Sequence, residues 1–166
     1  MKQYFIKTKF WKFVTDTLYV KDEREVDQFL IKQKFSIPKK WRILDVAGKH
    51  LFTVKKRMFR IFNRYDILDA DKRLLAVIKR KFAFFVPKYK ITNKVDESAQ
   101  YSITGDILSW NFSIVKNGRA SCEFRKQIIA LTNNYFVKVF DESETMLSIA
   151  AIIALNNDRK EKQSRR

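Results

Sequence analysis

Apolar and basic residues alternate along the first half of the chain, and the alternation itself repeats. Ile6, Thr8 and Phe10 fall on one side of an extended segment and Lys7 and Lys9 on the other; Trp41 and Ile43 stand against Arg42 in the same way. Period two with apolar residues on one side predicts strands with one buried and one wet face. The phrase β-branched, Lys, variable, basic, Phe is written Ile6-Lys7-Thr8-Lys9-Phe10 and again Ile31-Lys32-Gln33-Lys34-Phe35. It returns with one extra residue as Val54-Lys55-Lys56-Arg57-Met58-Phe59, and once more as Ile78-Lys79-Arg80-Lys81-Phe82. The starts are 25, 23 and 24 residues apart. A fixed period of this size marks a repeated supersecondary unit.

A second strand, opening on an aromatic residue and closing on a turn-former, follows as Trp41-Arg42-Ile43-Leu44-Asp45, Tyr65-Asp66-Ile67-Leu68-Asp69 and Tyr89-Lys90-Ile91-Thr92-Asn93. Pro38 and Pro87 lie between the halves, where a turn or strand edge is expected. Two weaker copies continue the spacing, one at 101–106 and 110–114, the other at 122–126 and 135–139. Asn117-Gly118 predicts a tight hairpin, because both residues tolerate φ > 0. Two strands in each of six copies give about twelve, and regularly spaced short strands predict a barrel or sandwich. Fifteen Phe, six Tyr and three Trp suit strands, and most of these aromatics alternate inward as core. Closure of the sheet would remove exposed edges from so aromatic a chain.

The exception to period two is a helix at about 142–156. Asp141 and Glu144 are spaced as a capping box, and residues 146–155 are apolar but for Ser148. Asn156 and Asn157 are expected to end the helix, leaving 157–166 as a charged, frayed basic tail. The helix has no polar face, so it must be buried on all sides, as a helix threading a barrel would be. The expectation is therefore one mainly β domain over 1–156: a closed twelve-stranded antiparallel barrel around a central apolar C-terminal helix.

The repeated Ile-Lys-x-Lys-Phe units, the segment Phe84-Phe85-Val86-Pro87-Lys88-Tyr89-Lys90-Ile91 and the segment Gly105-Asp106-Ile107-Leu108-Ser109-Trp110-Asn111-Phe112 resemble the LURP-one-related (YxjI-like) family of the Tubby C-terminal-like superfamily. The likeness runs from about Tyr4 to Asn156. It implies the same twelve-stranded barrel around a helix. It also implies a kinship with Tubby proteins, which bind phosphoinositides through basic residues on the barrel, and with phospholipid scramblases. No Tubby lipid site aligns residue by residue onto this chain, and a shared fold is an associational warrant.

Catalytic chemistry finds little material. His50 is the sole histidine and falls in a predicted hairpin turn; Cys122 is the sole cysteine and falls in a strand. One of each leaves no catalytic constellation, no disulfide and no cysteine metal cluster. There is no Walker A run and no G-x-G-x-x-G. Asp66, Asp69 and Asp71 lack the order of a calcium loop and read as turn residues; Asp22, Glu23, Glu25 and Asp27 read as a solvated hairpin loop. No catalytic, cofactor or metal residue is assigned, and the chain is read as a non-enzyme.

Charge supplies the functional hint. Lys and Arg number 35 against 18 Asp and Glu, a net +17. Residues 1–94 carry 25 basic and nine acidic side chains, so nearly the whole excess lies in the first four repeats. A field of that size attracts nucleic acid or anionic lipid. Lys7, Lys32, Lys55 and Lys79 recur at one repeat position, and Lys9, Lys34, Arg57 and Lys81 two residues on. Equivalent positions in a barrel fall at similar heights, which predicts a basic belt. The belt is either the wet face of strands, with Lys blocking aggregation, or an anion-binding surface. Thr8, Gln33, Lys56 and Arg80 are polar where alternation points inward, from a bulge, a barrel rim or a pocket that reaches a phosphate. The candidate anion-binding residues are thus Lys7, Lys9, Lys32, Lys34, Lys55, Lys56, Arg57, Lys79, Arg80 and Lys81.

The expected function is a peripheral binder of anionic phospholipid headgroups; nucleic-acid binding and a partner-binding scaffold are the alternatives. Met1 to Lys7 contain no uninterrupted apolar run of the kind an export signal carries, and the stretch 146–155 is shorter than a membrane span of about 20 residues. The expected location is the cytoplasm, with association at the inner membrane surface.

Overall fold

The computed structural model describes the backbone of residues 1–7, 17–58, 61–129 and 132–164, with their side chains except at 5–7, 127–129 and 132–134. Twelve strands form: β1 (Lys2–Lys7), β2 (Thr17–Asp22), β3 (Asp27–Lys34), β4 (Lys40–Asp45), β5 (His50–Lys56), β6 (Arg64–Asp69), β7 (Leu74–Lys81), β8 (Lys88–Asn93), β9 (Tyr101–Asp106), β10 (Asn111–Lys116), β11 (Arg119–Ile129) and β12 (Thr132–Val139). A 3-10 turn (Glu142–Glu144) then leads into α1 (Thr145–Ser164).

The strands make one antiparallel meander in which β1 pairs with β12, so the sheet wraps around into a barrel. Its edges, β8 and β9, meet through the single bridge Thr92–Gln100, and the barrel is closed except along that seam. The up-and-down course sets the two ends. The β3–β4, β5–β6, β7–β8 and β9–β10 connections and the C-terminus of α1 share what we call the upper end. Asn117 (φ 49°) and Gly118 (φ 79°) make the two-residue β10–β11 hairpin at the lower end, the geometry Asn-Gly favours.

Side chains on the inner face pack on α1. Residues Leu147 to Asp158 of the helix are all buried. At about 1.5 Å rise per residue these twelve span about 18 Å, which matches strands of six residues, about 20 Å long. Helix length and barrel height therefore agree. The inner wall is Val20, Ile31, Ile43, Val54, Ile67, Ile78 and Ile114, each almost wholly buried, with Trp41, Tyr65 and Trp110 above them.

Two expectations need correction. Asn156 and Asn157 do not end the helix; it runs on to Ser164, so residues 157–164 of the expected tail are helical. Asn157 donates to the Tyr65 hydroxyl at 2.8 Å and to Glu161 at 3.1 Å, so its amide is satisfied across the barrel instead of capping its own backbone. The repeat's terminal Phe is not core either. Phe35 and Phe82 lie just past the ends of β3 and β7 and are exposed, because the rim interior is already filled by Trp41, Tyr65 and the helix. Phe10 and Phe59 fall outside the described residues.

Gly105, in β9, sits at φ +101°, and a Cβ there would come within 2.6 Å of the Asn111 carbonyl oxygen and 2.9 Å of the Phe112 Cα. Both contacts are backbone, so neither can swing away. Gly105→Ala is expected to cost about 2 kcal/mol and lower Tm by about 6 °C in a thermal melt, from strained φ and clash together. An unchanged Tm would mean that β9 and β10 separate freely.

Candidate functional site

Residues directly opposite on neighbouring strands share a face. Gln33 pairs with Trp41, Lys56 with Tyr65 and Arg80 with Tyr89, so the variable repeat position points inward at the upper rim. These three therefore lie at the barrel rim, one of the three readings left open; Thr8 lies outside the described residues.

The outward positions bring basic residues from three hairpins together. Lys34, Lys40, Lys55 and Asp66 are successive cross-strand partners from β3 to β6, and Lys32, Arg42 and Thr53 form the row below. Register shifts at Ile43/Leu44 and Ile67/Leu68 bend the sheet here. The result is an open groove of about 590 Å³ on the outer face of β3–β6. Lys34, Lys40, Arg42 and Lys55 line it and make no ion pair among the described residues. Its two carboxylates are already engaged: Asp66 with Arg64 at 2.7 Å and Arg57 at 3.4 Å, Asp69 with Arg73 at 2.7 Å. Like charges placed opposite one another in a sheet are destabilising. An anion with several acceptor oxygens in the groove would relieve that repulsion.

Other predicted residues are placed differently. Lys79 and Lys81 project outward on β7 opposite Lys90 and Lys88, as a second basic patch. The continuous belt is therefore interrupted at β6, where Asp66 draws Arg57 and Arg64 into pairs. Lys32 is exposed beside the groove. Lys7 is in β1, but its side chain, like all of Lys9, lies outside what is described. His50 opens β5 instead of sitting in a turn; it is half-buried in the groove wall with Nε2 2.9 Å from Thr53 Oγ1.

Lys56 is not a surface anion site. Its Nζ sits 2.6 Å from Glu161 of α1, part of a polar cluster that closes the upper end of the barrel. Glu161 also accepts from Lys39 at 3.2 Å and Asn63 at 3.2 Å. Asp158, one turn earlier, accepts from Tyr65 at 2.5 Å, Asn63 at 2.6 Å and Tyr89 at 2.8 Å. Burial alone would raise the Glu161 carboxyl, but hydrogen bonds from Lys56, Asn157 and Lys39 and the Lys56 charge hold it down at about 2. Burial, then the Asp158 charge, pushes the Tyr65 and Tyr89 phenols well above their ordinary value. Arg80 points into a cavity of about 240 Å³ beside this cluster, lined also by Tyr89, Trp110 and Arg159. At the lower end Glu144 turns inward to Lys116 (2.6 Å) and Tyr101 (3.1 Å), so it does not complete a capping box with Asp141.

Sequence reasoning missed Lys40 as a groove residue, because it reads as part of a Pro-containing turn. It missed the Asp158–Glu161 cluster because a charged C-terminal run looks like a tail. Burial pushes the Cys122 thiol up to about 12, which leaves it protonated and unreactive at neutral pH. Among the described residues no three His, Cys, Asp or Glu side chains could hold a metal, and no helix is long and apolar enough to cross a membrane.

Comparison with known proteins agrees with this architecture. The uncharacterized protein YxjI of Bacillus subtilis (strain 168) is 24% identical over 157 residues, covering 94% of this chain and 93% of YxjI. The X-ray structure of a protein from Arabidopsis thaliana superposes with a TM-score of 0.63 at 15% identity, covering 96% of this chain and 91% of that one. That likeness speaks for the fold alone. The LURP-one-related family model matches residues 2–156, nearly the whole barrel and the buried part of its helix, and the chain belongs to the LURP-one-related family.

Proposed function

We propose that this domain is a non-enzymatic binding module for anionic phospholipid headgroups, acting at the cytoplasmic membrane surface through the groove on β3–β6. The observation that supports this reading is the set Lys34, Lys40, Arg42 and Lys55: four cations converging on one concavity with no carboxylate committed to them. A phosphate-bearing headgroup offers several acceptor oxygens and negative charge to just such a set. Nucleic acid would meet the same charge, but no Phe, Tyr or Trp lines the groove, so it lacks a stacking platform for bases.

The test is sedimentation with phosphatidylcholine vesicles, with and without phosphatidylserine, at physiological salt. Binding is expected with the anionic vesicles alone. Each basic residue near an anionic leaflet contributes about 1 kcal/mol, so Lys34→Ser, Lys40→Ser and Arg42→Ser together are expected to weaken binding about 100-fold. These side chains are outward and unpaired, so Tm should hold. Equal binding to neutral and anionic vesicles would sink the proposal, as would a salt-dependent gel shift with RNA or DNA in the absence of vesicle binding.

A further inference from the structure

The upper end of the barrel is unlike the lower. At the lower end the β2–β3, β4–β5 and β8–β9 connections each expose a single valine (Val26, Val46, Val95), the β6–β7 and β10–β11 turns expose no large apolar side chain, and Phe140 after β12 is partly exposed. Three successive upper hairpins expose large apolar side chains: Phe35 and Ile37 on β3–β4, Met58 and Ile61 on β5–β6, and Phe82, Phe84, Phe85 and Val86 on β7–β8. Phe35, Ile61 and Phe85 are 90%, 95% and 91% exposed. The last two tips touch, Phe62 against Phe82 at 6.1 Å and Phe82 against Phe84 at 4.8 Å between ring centres, so the surface is continuous across the β5–β6 and β7–β8 hairpins. Isolated exposed apolar residues are ordinary; a contiguous patch at one end of a molecule marks an interaction surface.

The charge around the patch identifies the occupant. Each tip is preceded by a basic residue: Lys34 before Phe35, Arg57 (which shares Asp66 with Arg64) before Met58, and Lys81 before Phe82. No acidic residue occurs in 28–44, 46–65 or 72–95, the three stretches that contain these hairpins. At about 3.3 Å per residue, the cations stand within roughly 3–7 Å of the tips. An anionic bilayer has that layering: headgroup phosphates outside and an acyl boundary about 5–10 Å further in. A second copy of this chain would bring cationic rims together, which argues against self-association. Lys34, Lys40, Lys55 and Arg57 also form the upper mouth of the groove, so a barrel standing on its tips would place that mouth among headgroups.

We propose that the β3–β4, β5–β6 and β7–β8 tips form a membrane-insertion surface, whose apolar side chains enter the acyl boundary of an anionic bilayer while the cations behind them hold phosphates. This inference rests on the headgroup reading above and adds insertion and orientation to it. Phe84→Ser with Phe85→Ser is expected to weaken binding to phosphatidylserine-containing vesicles about tenfold or more, because two buried aromatic side chains are lost from the bilayer. The residual binding should vanish in high salt, whereas the parent protein's should persist in part. Both residues are exposed, so an unchanged Tm is the check on folding. In a separate Phe85→Trp variant, the fluorescence of the added indole should shift blue with those vesicles and be quenched by brominated acyl chains. Vesicle binding that survives Phe84→Ser/Phe85→Ser intact, with an indole signal that stays red and unquenched in Phe85→Trp, overturns insertion but leaves headgroup binding standing. No binding to anionic vesicles by the parent protein overturns both. Concentration-dependent dimerisation abolished by the same pair of substitutions also overturns insertion, because it assigns the patch to a second copy.

Discussion

Ile153→Asp is expected to leave the chain without a folded state at any temperature. Ile153 is fully buried near the middle of the helix segment that the barrel encloses. A domain of this size has about 5–15 kcal/mol of stability to lose. Shortening the side chain should use part of it: about 1 kcal/mol for Ile153→Val and about 2–5 kcal/mol for Ile153→Ala, from lost transfer energy and the cavity left behind. A carboxylate at the same position would be enclosed by a core made mainly of Ile, Val and aromatic side chains. Its desolvation exceeds the whole margin unless it is neutralised or water enters. On a helix packed against the outside of a sheet, the same Asp could turn to solvent at a cost of about 0.5 kcal/mol. The graded series therefore separates a threaded helix from a docked one. Circular dichroism melts should show cooperative unfolding for Val and Ala, and no transition for Asp. A folded Asp variant melting within a few degrees of the parent would show that the barrel does not need the helix as its core.

The same all-round apolarity makes the fold legible in the chain itself. Residues 146–155 demand burial on every side, and a 24-residue repeat with period-two alternation supplies the enclosing sheet. Strand β2 is harder to locate, since Thr17–Asp22 lacks the aromatic opening of the other second strands and reaches the strand count only through the periodicity. Sequence spacing reports the direction of side chains better than their depth. Gln33, Lys56 and Arg80 do point inward as alternation requires, but whether an inward Lys meets solvent or a carboxylate depends on α1, more than a hundred residues away for Lys56. Phe35 and Phe82 show the opposite failure: hydrophobicity suggests core, while the turn one residue after Lys34 or Lys81 puts them outside. The groove is half legible. Lys34 and Lys55 are visible as repeat positions, but the neutralisation of Arg57 by Asp66 is a cross-strand event that spacing alone does not report.

Asp158→Ala is expected to destabilise the protein by about 4 kcal/mol, the largest effect of any single polar substitution in the barrel. The buried carboxylate accepts from two tyrosine hydroxyls and an amide, bonds to a charged group worth about 1.5–3 kcal/mol each; its removal strands the Tyr65 hydroxyl as a buried donor and takes the partner from the half-buried Tyr89, in addition to the packing lost. Tyr65→Phe in the Asp158→Ala background should recover part of the loss, because it removes the stranded hydroxyl; a purely additive double mutant would place the cost elsewhere. Its neighbour Glu161 gives the cluster an acid dependence. The folded-state carboxyl is held at about 2, below the 4.5 of the free side chain, so its contribution is complete above about 4.5 and is lost as pH falls toward 2. With only 18% of that side chain exposed, the loss is on the order of 2 kcal/mol. Tm should therefore fall across that interval, and Glu161→Gln should flatten the fall while lowering Tm at neutral pH, where it leaves Lys56 without its partner. If Lys56→Met restores the neutral-pH Tm of Glu161→Gln, the charge pair fixes where the helix end sits without adding net stability, the usual balance for a pair taken out of water. The two carboxylates then divide the work: Asp158 satisfies the tyrosines that seal the rim, and Glu161 ties down Lys39 and Lys56, which keeps these inward cations apart from the anion site on the outer face.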